Sequence, residues 1–100
     1  MAKLTAMNLS NNSIYKVIKM EREEILKKLT EIIQTVLNEP TLIIDETMTF
    51  NDFENWDSII QMMVVASVEQ EFGIRFKLRE VGEIGSIKDY VDLILSKSST

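Results

Sequence analysis

Apolar residues recur every three or four positions in the first half of the chain, which predicts a one-sided helix from Glu21 onward. Charged residues such as Glu24 and Lys28 fill the opposite face. The helix is expected to stop at Asn38-Glu39-Pro40, because proline disfavours helical geometry in the residue before it. Its apolar positions are Ile25, Leu26, Leu29, Ile32, Ile33, Val36 and Leu37.

A similar stripe near the C-terminus predicts a final helix that ends near Lys97. Ser86 followed by Asp89 fits an N-terminal cap whose acid lies near the positive end of the helix dipole. Before it, residues 77–81 are expected to form one short helical turn, and Gly82 and Gly85 to frame a break. The stripe consists of Ile87, Tyr90, Val91, Ile94 and Leu95.

The central helix is predicted to open at Asp57-Ser58-Ile59 and to end at Gly73, which suits a left-handed cap. Residues 59–66 are apolar nearly all round, although a helix of a small bundle needs only one buried stripe. The residues assigned to the core are Val64, Val65, Val68 and Phe72. The connection 41–56 is too apolar to be simply solvated, so Leu42, Ile43, Ile44, Met48, Phe50 and Phe53 are expected to pack across the helix ends.

These elements predict an all-α fold: a small four-helix up-and-down bundle with a long first crossover loop and a short third helix. One hundred residues suffice for a single domain. We expect a flexible lead-in at 1–12, one domain at 13–97 with Ser13 as a candidate first cap, and a frayed tail at 98–100.

Composition narrows the possible functions. The chain has neither cysteine nor histidine, so disulfides, thiol nucleophiles and the usual zinc sites are excluded. Adjacent acids such as Glu23 and Glu24 are more typical of solvated surface than of an acid–base pair, and we expect no catalytic residue and no metal site. No apolar stretch approaches the roughly 20 residues of a membrane span. We expect a cytoplasmic protein.

The charge is unevenly distributed. The net charge is −5, and residues 1–20 contribute +3 through Lys3, Lys16 and Lys19, so the remaining 80 residues carry −8. An acidic body disfavours nucleic acid as a partner, because binding to phosphates needs a basic surface.

The motif around Ser58 resembles the acyl carrier protein family, in which Asp-Ser-Leu starts the second helix and Glu-Glu-Phe-Gly-Ile closes it. The corresponding pieces here are Asp57-Ser58-Ile59 and Glu71-Phe72-Gly73-Ile74. The segment 84–94 is similar to the start of the family's final helix, and the resemblance covers residues 21–97.

The resemblance implies that Ser58 is an acceptor, to which a separate phosphopantetheinyl transferase attaches the 4′-phosphopantetheine of coenzyme A. Asp57 falls on the family's acid before the serine, which helps the transferase complex to position its metal and the coenzyme. The chain would then be a monomeric acyl or aminoacyl carrier that serves loading and acyl-using enzymes, and no enzyme itself. Capping alone would also account for Ser58, although not for the pattern around it, and acids are favoured at any helix entrance, which would explain Asp57.

The chain departs from fatty-acid-synthesis carriers in two places. Asn55-Trp56 stands where a small pair is usual, and Ile60 and Met63 replace docking acids on the second helix. We therefore expect a specialised pathway with dedicated partners. The predicted partner surface, which could also cover a carried acyl chain, comprises Trp56, Ile59, Ile60, Met62 and Met63.

Three alternatives remain open. Trp56 could be core that covers the crossover. The N-terminal segment, Tyr15 and Val17 for example, could fold over the second helix. The protein could also be an unmodified helical adaptor of carrier fold, in which case Ser58→Ala would cost only a capping contribution of about 1 kcal/mol.

Overall fold

The computed structural model describes residues 21–98, and within this range it contains four helices and no β-strand. Helix α1 covers residues 21–37, α2 Ser58–Phe72, α3 Leu78–Glu83 and α4 Ile87–Ser98, with a short 3-10 helix at Phe50–Asp52 in the crossover. The predicted all-α bundle with a long first crossover and a short third helix is confirmed. The predicted lead-in, the Ser13 cap and the proposed packing of Tyr15 and Val17 lie outside the described residues.

The helix ends follow from local backbone chemistry. α1 ends at residue 37, and Asn38 adopts a left-handed conformation with φ 57°, which asparagine tolerates better than most residues. Gly73 caps α2 with φ 65° and ψ 37°, as predicted for a residue without a Cβ. α4 begins with reciprocal bonds, because Ser86 Oγ accepts from Asp89 N (3.2 Å) and Asp89 Oδ2 accepts from Gly85 N (2.8 Å).

Two boundaries differ from the sequence-based expectation. The predicted turn at 77–81 is a six-residue helix that includes Gly82, so the prediction of a break at Gly82 is wrong. A glycine inside a helix costs only about 1 kcal/mol relative to alanine, and other contacts hold this helix: Glu80 Oε1 accepts from Lys77 N (2.7 Å) at the helix start and from Lys97 Nζ of α4 (2.9 Å). α4 also includes Ser98, one residue beyond its predicted end.

The core lies between α1, α2 and α4 and is closed by the crossover. The predicted core valines of α2 are buried, and Phe72 is partly buried against them. In the crossover, Ile44 and Phe53 are buried as expected, whereas Ile43 is 83% exposed and the prediction for this residue is wrong. The buried set is Ile25, Leu29, Ile33, Ile44, Phe53, Val64, Val65, Val68, Ile74, Ile84, Ile87, Tyr90, Val91 and Ile94.

Polar contacts fix the crossover to the helices on both sides. Arg22 of α1 pairs with Glu46 of the crossover and with Asp92 of α4, at 2.7 Å between Nη1 and Oδ1 in the second pair. Burial raises the pKa of Asp92, but hydrogen bonds from Lys88 and Arg22 outweigh burial and hold that pKa below its usual value. Met48 O also accepts from Ile87 N (3.0 Å). These contacts hold the crossover in place and thereby fix the position at which α2 begins.

No helix among the described residues is long and apolar enough to cross a membrane.

Candidate functional site

Asp57, not Ser58, caps α2. The backbone of Asp57 is extended, with φ −128° and ψ −174°, and its Oδ1 accepts a hydrogen bond from Ile60 N at 2.8 Å. Ser58 is already the first helical residue, one position too late for its side chain to reach the free N–H groups of the first turn. The interpretation of Ser58 as a cap is therefore wrong, and Asp57 has the helix-entrance role that the alternative interpretation gave it.

The Ser58 hydroxyl is available for chemistry. The side chain is exposed, and no residue in the range 21–98 hydrogen-bonds to its Oγ. The backbone N–H groups of Ser58 and Ile59 likewise donate to no residue in that range, and the first bonded amides of α2 are Ile60 N, which donates to Asp57 Oδ1 (2.8 Å), and Gln61 N, which donates to Asp57 O (2.9 Å). Open N–H groups and the positive end of the helix dipole favour a phosphate ester at this serine. The residues present therefore fit a phosphopantetheine attached here.

Trp56 closes the crossover against α2. Its ring stacks on Phe50 with centroids 4.5 Å apart and an interplanar angle of 4°, and Phe53 lies 5.1 Å away. The indole Nε1 donates to Gln61 Oε1 at 3.0 Å. Trp56 is half-buried and packs on the core, which agrees with the alternative that made it a cover for the crossover.

The apolar residues of α2 divide between two faces. Ile59, Met62 and Met63 are 69%, 51% and 48% exposed, and with Ser58 and Ala66 they line an open groove. We call this set, Ser58, Ile59, Met62, Met63 and Ala66, the outer α2 face. Ile60 was predicted to belong to the exposed partner surface, but it is half-buried and packs against the core. Ile60 does not lie on the outer α2 face, because it is one helical turn before the fully buried Val64 and therefore on the same side of the helix as Val64.

Three residues around the site were not predicted to belong to it, although Phe50 was expected to pack across the helix ends. Gln61 holds the indole of Trp56, Phe50 stacks on that indole, and Ala66 lies at the far end of the outer α2 face. The helical spacing of Ala66 from Ser58, Ile59 and Met62 was the available signal.

Tyr90 introduces a polar atom into the core next to the crossover. Its side chain is fully buried, with ring centroids 5.9 Å from Phe50 and 6.5 Å from Phe76. Its hydroxyl has no hydrogen-bond partner among the described residues. Burial raises the pKa of this phenol well above its ordinary value.

Known proteins resemble the chain over most of its length. A family model described as a phosphopantetheine attachment site matches residues 27–94. An acyl carrier protein of Coprothermobacter proteolyticus is 39% identical over 82 residues, which cover 81% of this chain and 99% of the relative. An acyl carrier protein of Acidothermus cellulolyticus is 36% identical over 75 residues, covering 75% and 89%.

Solved structures agree with these matches. The crystal structure of an acyl carrier protein from Thermotoga maritima superposes with a TM-score of 0.72 at 30% identity, and the match covers 80% of this chain and 93% of the other. The solution structure of a holo acyl carrier protein from Geobacter metallireducens gives a TM-score of 0.69 at 28% identity, with 74% and 85% covered.

Proposed function

Because the chain belongs to the acyl carrier protein family and is a carrier of covalently bound 4′-phosphopantetheine, we propose that the attachment residue is Ser58. The supporting observation is the exposed, unbonded hydroxyl at the first residue of α2, beside two open backbone N–H groups. The arm supplies a thiol that holds an acyl group as a thioester. Since the chain has no cysteine, this thiol is the only one that the modified protein contains.

Asp57 is proposed to assist attachment in two ways. Its Oδ1 fixes the first turn of α2 through Ile60 N, and this bond holds the Ser58 hydroxyl at the helix entrance. Its second carboxylate oxygen faces no described hydrogen-bond donor, and we assign it to the metal and coenzyme that the transferase brings. Separate enzymes supply the catalysis in this proposal, and the chain presents the arm to them.

We further propose that partner enzymes dock on the outer α2 face through apolar contacts. No charged side chain follows Asp57 until Glu69, so charge steering contributes little at this helix and burial of Ile59, Met62 and Met63 contributes most. Methionine suits such a surface because it is flexible and polarizable. This face suits a dedicated partner set, as in a polyketide, nonribosomal peptide or other specialised pathway. It suits less well the enzymes of fatty acid synthesis, which dock on acidic side chains of their carriers. The proposal includes a monomeric carrier in the cytoplasm.

Intact-protein mass tests the attachment residue. The protein is incubated with coenzyme A, Mg²⁺ and a broad-specificity phosphopantetheinyl transferase, and we expect a gain of one phosphopantetheine moiety. Ser58→Ala removes the acceptor and should show no gain. Ser67→Ala is the matched control, because Ser67 lies on the same helix but outside the attachment motif; this variant should gain the full mass.

A folded wild-type sample without any gain would reject Ser58 as the acceptor and favour the unmodified adaptor. The exposed outer α2 face is the observation that keeps the adaptor as the second candidate. In an adaptor, Ser58→Ala would leave partner binding intact, whereas a carrier with the same substitution loses its function completely.

A further inference from the structure

An open groove of about 290 Å³ lies at the end of the bundle opposite to Ser58. Ser58 and Phe72 are the first and last residues of α2, so they lie roughly 20 Å apart along its axis. We propose that residues 13–20 of the chain fold into this groove and that Ile18 is the side chain that fills it. The inference goes beyond the proposed function and does not depend on an arm at Ser58. We call this site the far-end groove, and it is lined by Glu21, Glu24, Ile25, Phe72, Leu95 and Ser98.

The far-end groove contains apolar surface that the described residues leave uncovered. Ile25 of α1 is buried, whereas Phe72 of α2 and Leu95 of α4 are only half-buried although both pack against the core. Lys28 lies over one face of the Phe72 ring, with Nζ 5.9 Å from the ring centroid, and pairs with Glu71 at 3.7 Å. No described side chain fills the groove itself, so an apolar side chain placed there would bury area on three helices at once.

The buried stripe of α1 leads to the groove. Ile25, Leu29 and Ile33 are buried at spacings of four residues, and the preceding position of that series is Glu21, an exposed acid. Ile18 stands three residues before Glu21 and continues the apolar series at helical spacing. Three residues span at most about 11 Å even when they are fully extended. Ile18 is therefore within reach of a groove whose rim is Glu21.

Charge favours the same occupant. Glu21 and Glu24 are exposed at the rim, and neither forms an ion pair with another described residue. The last turns of α2 and α4 also lie there, and the carbonyl end of a helix carries partial negative charge. Residues 13–20 contain Lys16 and Lys19 and no acid. Since the segment is tethered at the rim, its effective concentration is on the order of millimolar, and weak contacts suffice to hold it.

Methyl contacts in the full-length chain test the proposal. The protein is labelled with ¹³C at the isoleucine, leucine and methionine methyl groups, and nuclear Overhauser effects from the Ile18 methyl group are recorded. We expect contacts with Leu95 of α4 and with the Phe72 ring of α2. A mixture of labelled and unlabelled protein distinguishes contacts within one chain from contacts between two chains.

Three variants measure what the contact contributes. Ile18→Gln removes the apolar side chain and should lower Tm by at least about 4 °C, the shift expected for one lost apolar contact in a domain of this size. Ile18→Leu keeps an apolar side chain of equal size and should retain most of the wild-type Tm. Leu4→Gln is the matched control, because Leu4 precedes the proposed segment; it should leave Tm unchanged.

The outcomes distinguish the possible occupants. Contacts from Ile18 to Leu95 and Phe72 within one chain support the proposal. Contacts from Ile18 to Met62 or Met63 would place the segment on the outer α2 face and reject it, and so would contacts that arise only between two chains. An Ile18 methyl group without contacts to any described residue, with equal Tm values for Ile18→Gln and Leu4→Gln, would leave the groove open and reject it too. Each of these results is independent of the mass gain at Ser58, which tests the proposed function separately.

Discussion

Asp57 and Ser58 are neighbours in the sequence, yet replacing each with alanine should change the free energy of unfolding by very different amounts. Asp57→Ala removes the acceptor of the 2.8 Å hydrogen bond from Ile60 N and the carboxylate at the N-terminus of α2. Ser58→Ala removes a hydroxyl that makes no hydrogen bond to any described residue. Asp57→Asn keeps a capping oxygen and removes only the charge, so it separates the cap from the carboxylate chemistry.

The magnitudes follow from the capping geometry. Loss of an N-cap side chain costs about 1 kcal/mol, within a range of about 0.5–2 kcal/mol. For a domain of this size, 1 kcal/mol corresponds to about 4–8 °C in Tm, so Asp57→Ala should lower Tm by roughly that amount. Asparagine and aspartate are similar N-caps, so Asp57→Asn should remain within about 0.5 kcal/mol of the wild type. Ser58→Ala should also remain within about 0.5 kcal/mol of the wild type, because it is a surface change that removes no hydrogen bond. This expected cost is smaller than the cost of about 1 kcal/mol for a serine that caps a helix.

Thermal unfolding of the unmodified proteins, followed by far-UV circular dichroism, measures these differences. Transferase rates on the same samples complete the test: Asp57→Asn should be modified much more slowly than the wild type although it is equally stable. If Ser58→Ala lowered Tm as much as Asp57→Ala, the assignment of the cap would be refuted. If Asp57→Asn were modified at the wild-type rate, the role of the Asp57 carboxylate in attachment would be refuted.

Three further predictions concern stability. Leu29 is fully buried, and Leu29→Ala should reduce the free energy of unfolding in urea by about 2–5 kcal/mol; a loss below about 1 kcal/mol would contradict the core assignment. Burial raises the pKa of Tyr90 above the ordinary value of 10.0, so the unfolded state releases this proton first. The free energy of unfolding should therefore fall as pH rises above that value, by up to about 1.4 kcal/mol per pH unit. Tyr90→Phe should lack this part of the alkaline loss, and equal slopes of unfolding free energy against pH in the two proteins would be inconsistent with a buried phenol. Gly73→Ala places a side chain at φ 65° and should cost about 1 kcal/mol, whereas Gly82→Ala in α3 should stabilise the protein by up to about 1 kcal/mol. Neither added methyl group meets an atom within 4 Å, so the difference reports on the backbone alone. Equal Tm values for the two variants would argue against the left-handed cap at Gly73.

The helix ends were predictable because their causes are local. Gly73 needs only its missing Cβ to accept a left-handed backbone, and Ser86 with Asp89 forms a cap within four residues. The attachment motif is equally compact, since Asp57 and Ser58 adjoin each other in the chain. Such features depend on neighbours in sequence, and sequence patterns report them directly.

The orientation of α2 was not predictable from pattern alone. Residues 59–66 are apolar nearly all round, so periodicity does not decide whether Ile59 or Ile60 faces the core; packing against the other helices decides it. Arg22 reaches Asp92 across 70 positions of sequence, a separation at which charge patterns carry no information. The choice of cap depends on a one-residue difference in where the helix begins, which pattern analysis does not resolve.

Trp56 has a consequence for observing the protein at work. It is the only tryptophan of the chain, so all indole fluorescence comes from one ring, two residues before the attachment serine. That ring lies on Phe50 of the crossover and is bonded to Gln61 of α2, and its emission depends on both elements. Any change in the packing of the crossover against α2 changes the surroundings of this indole. The protein therefore contains a single fluorescent reporter of how the crossover packs on α2, close to Ser58 and without any added label.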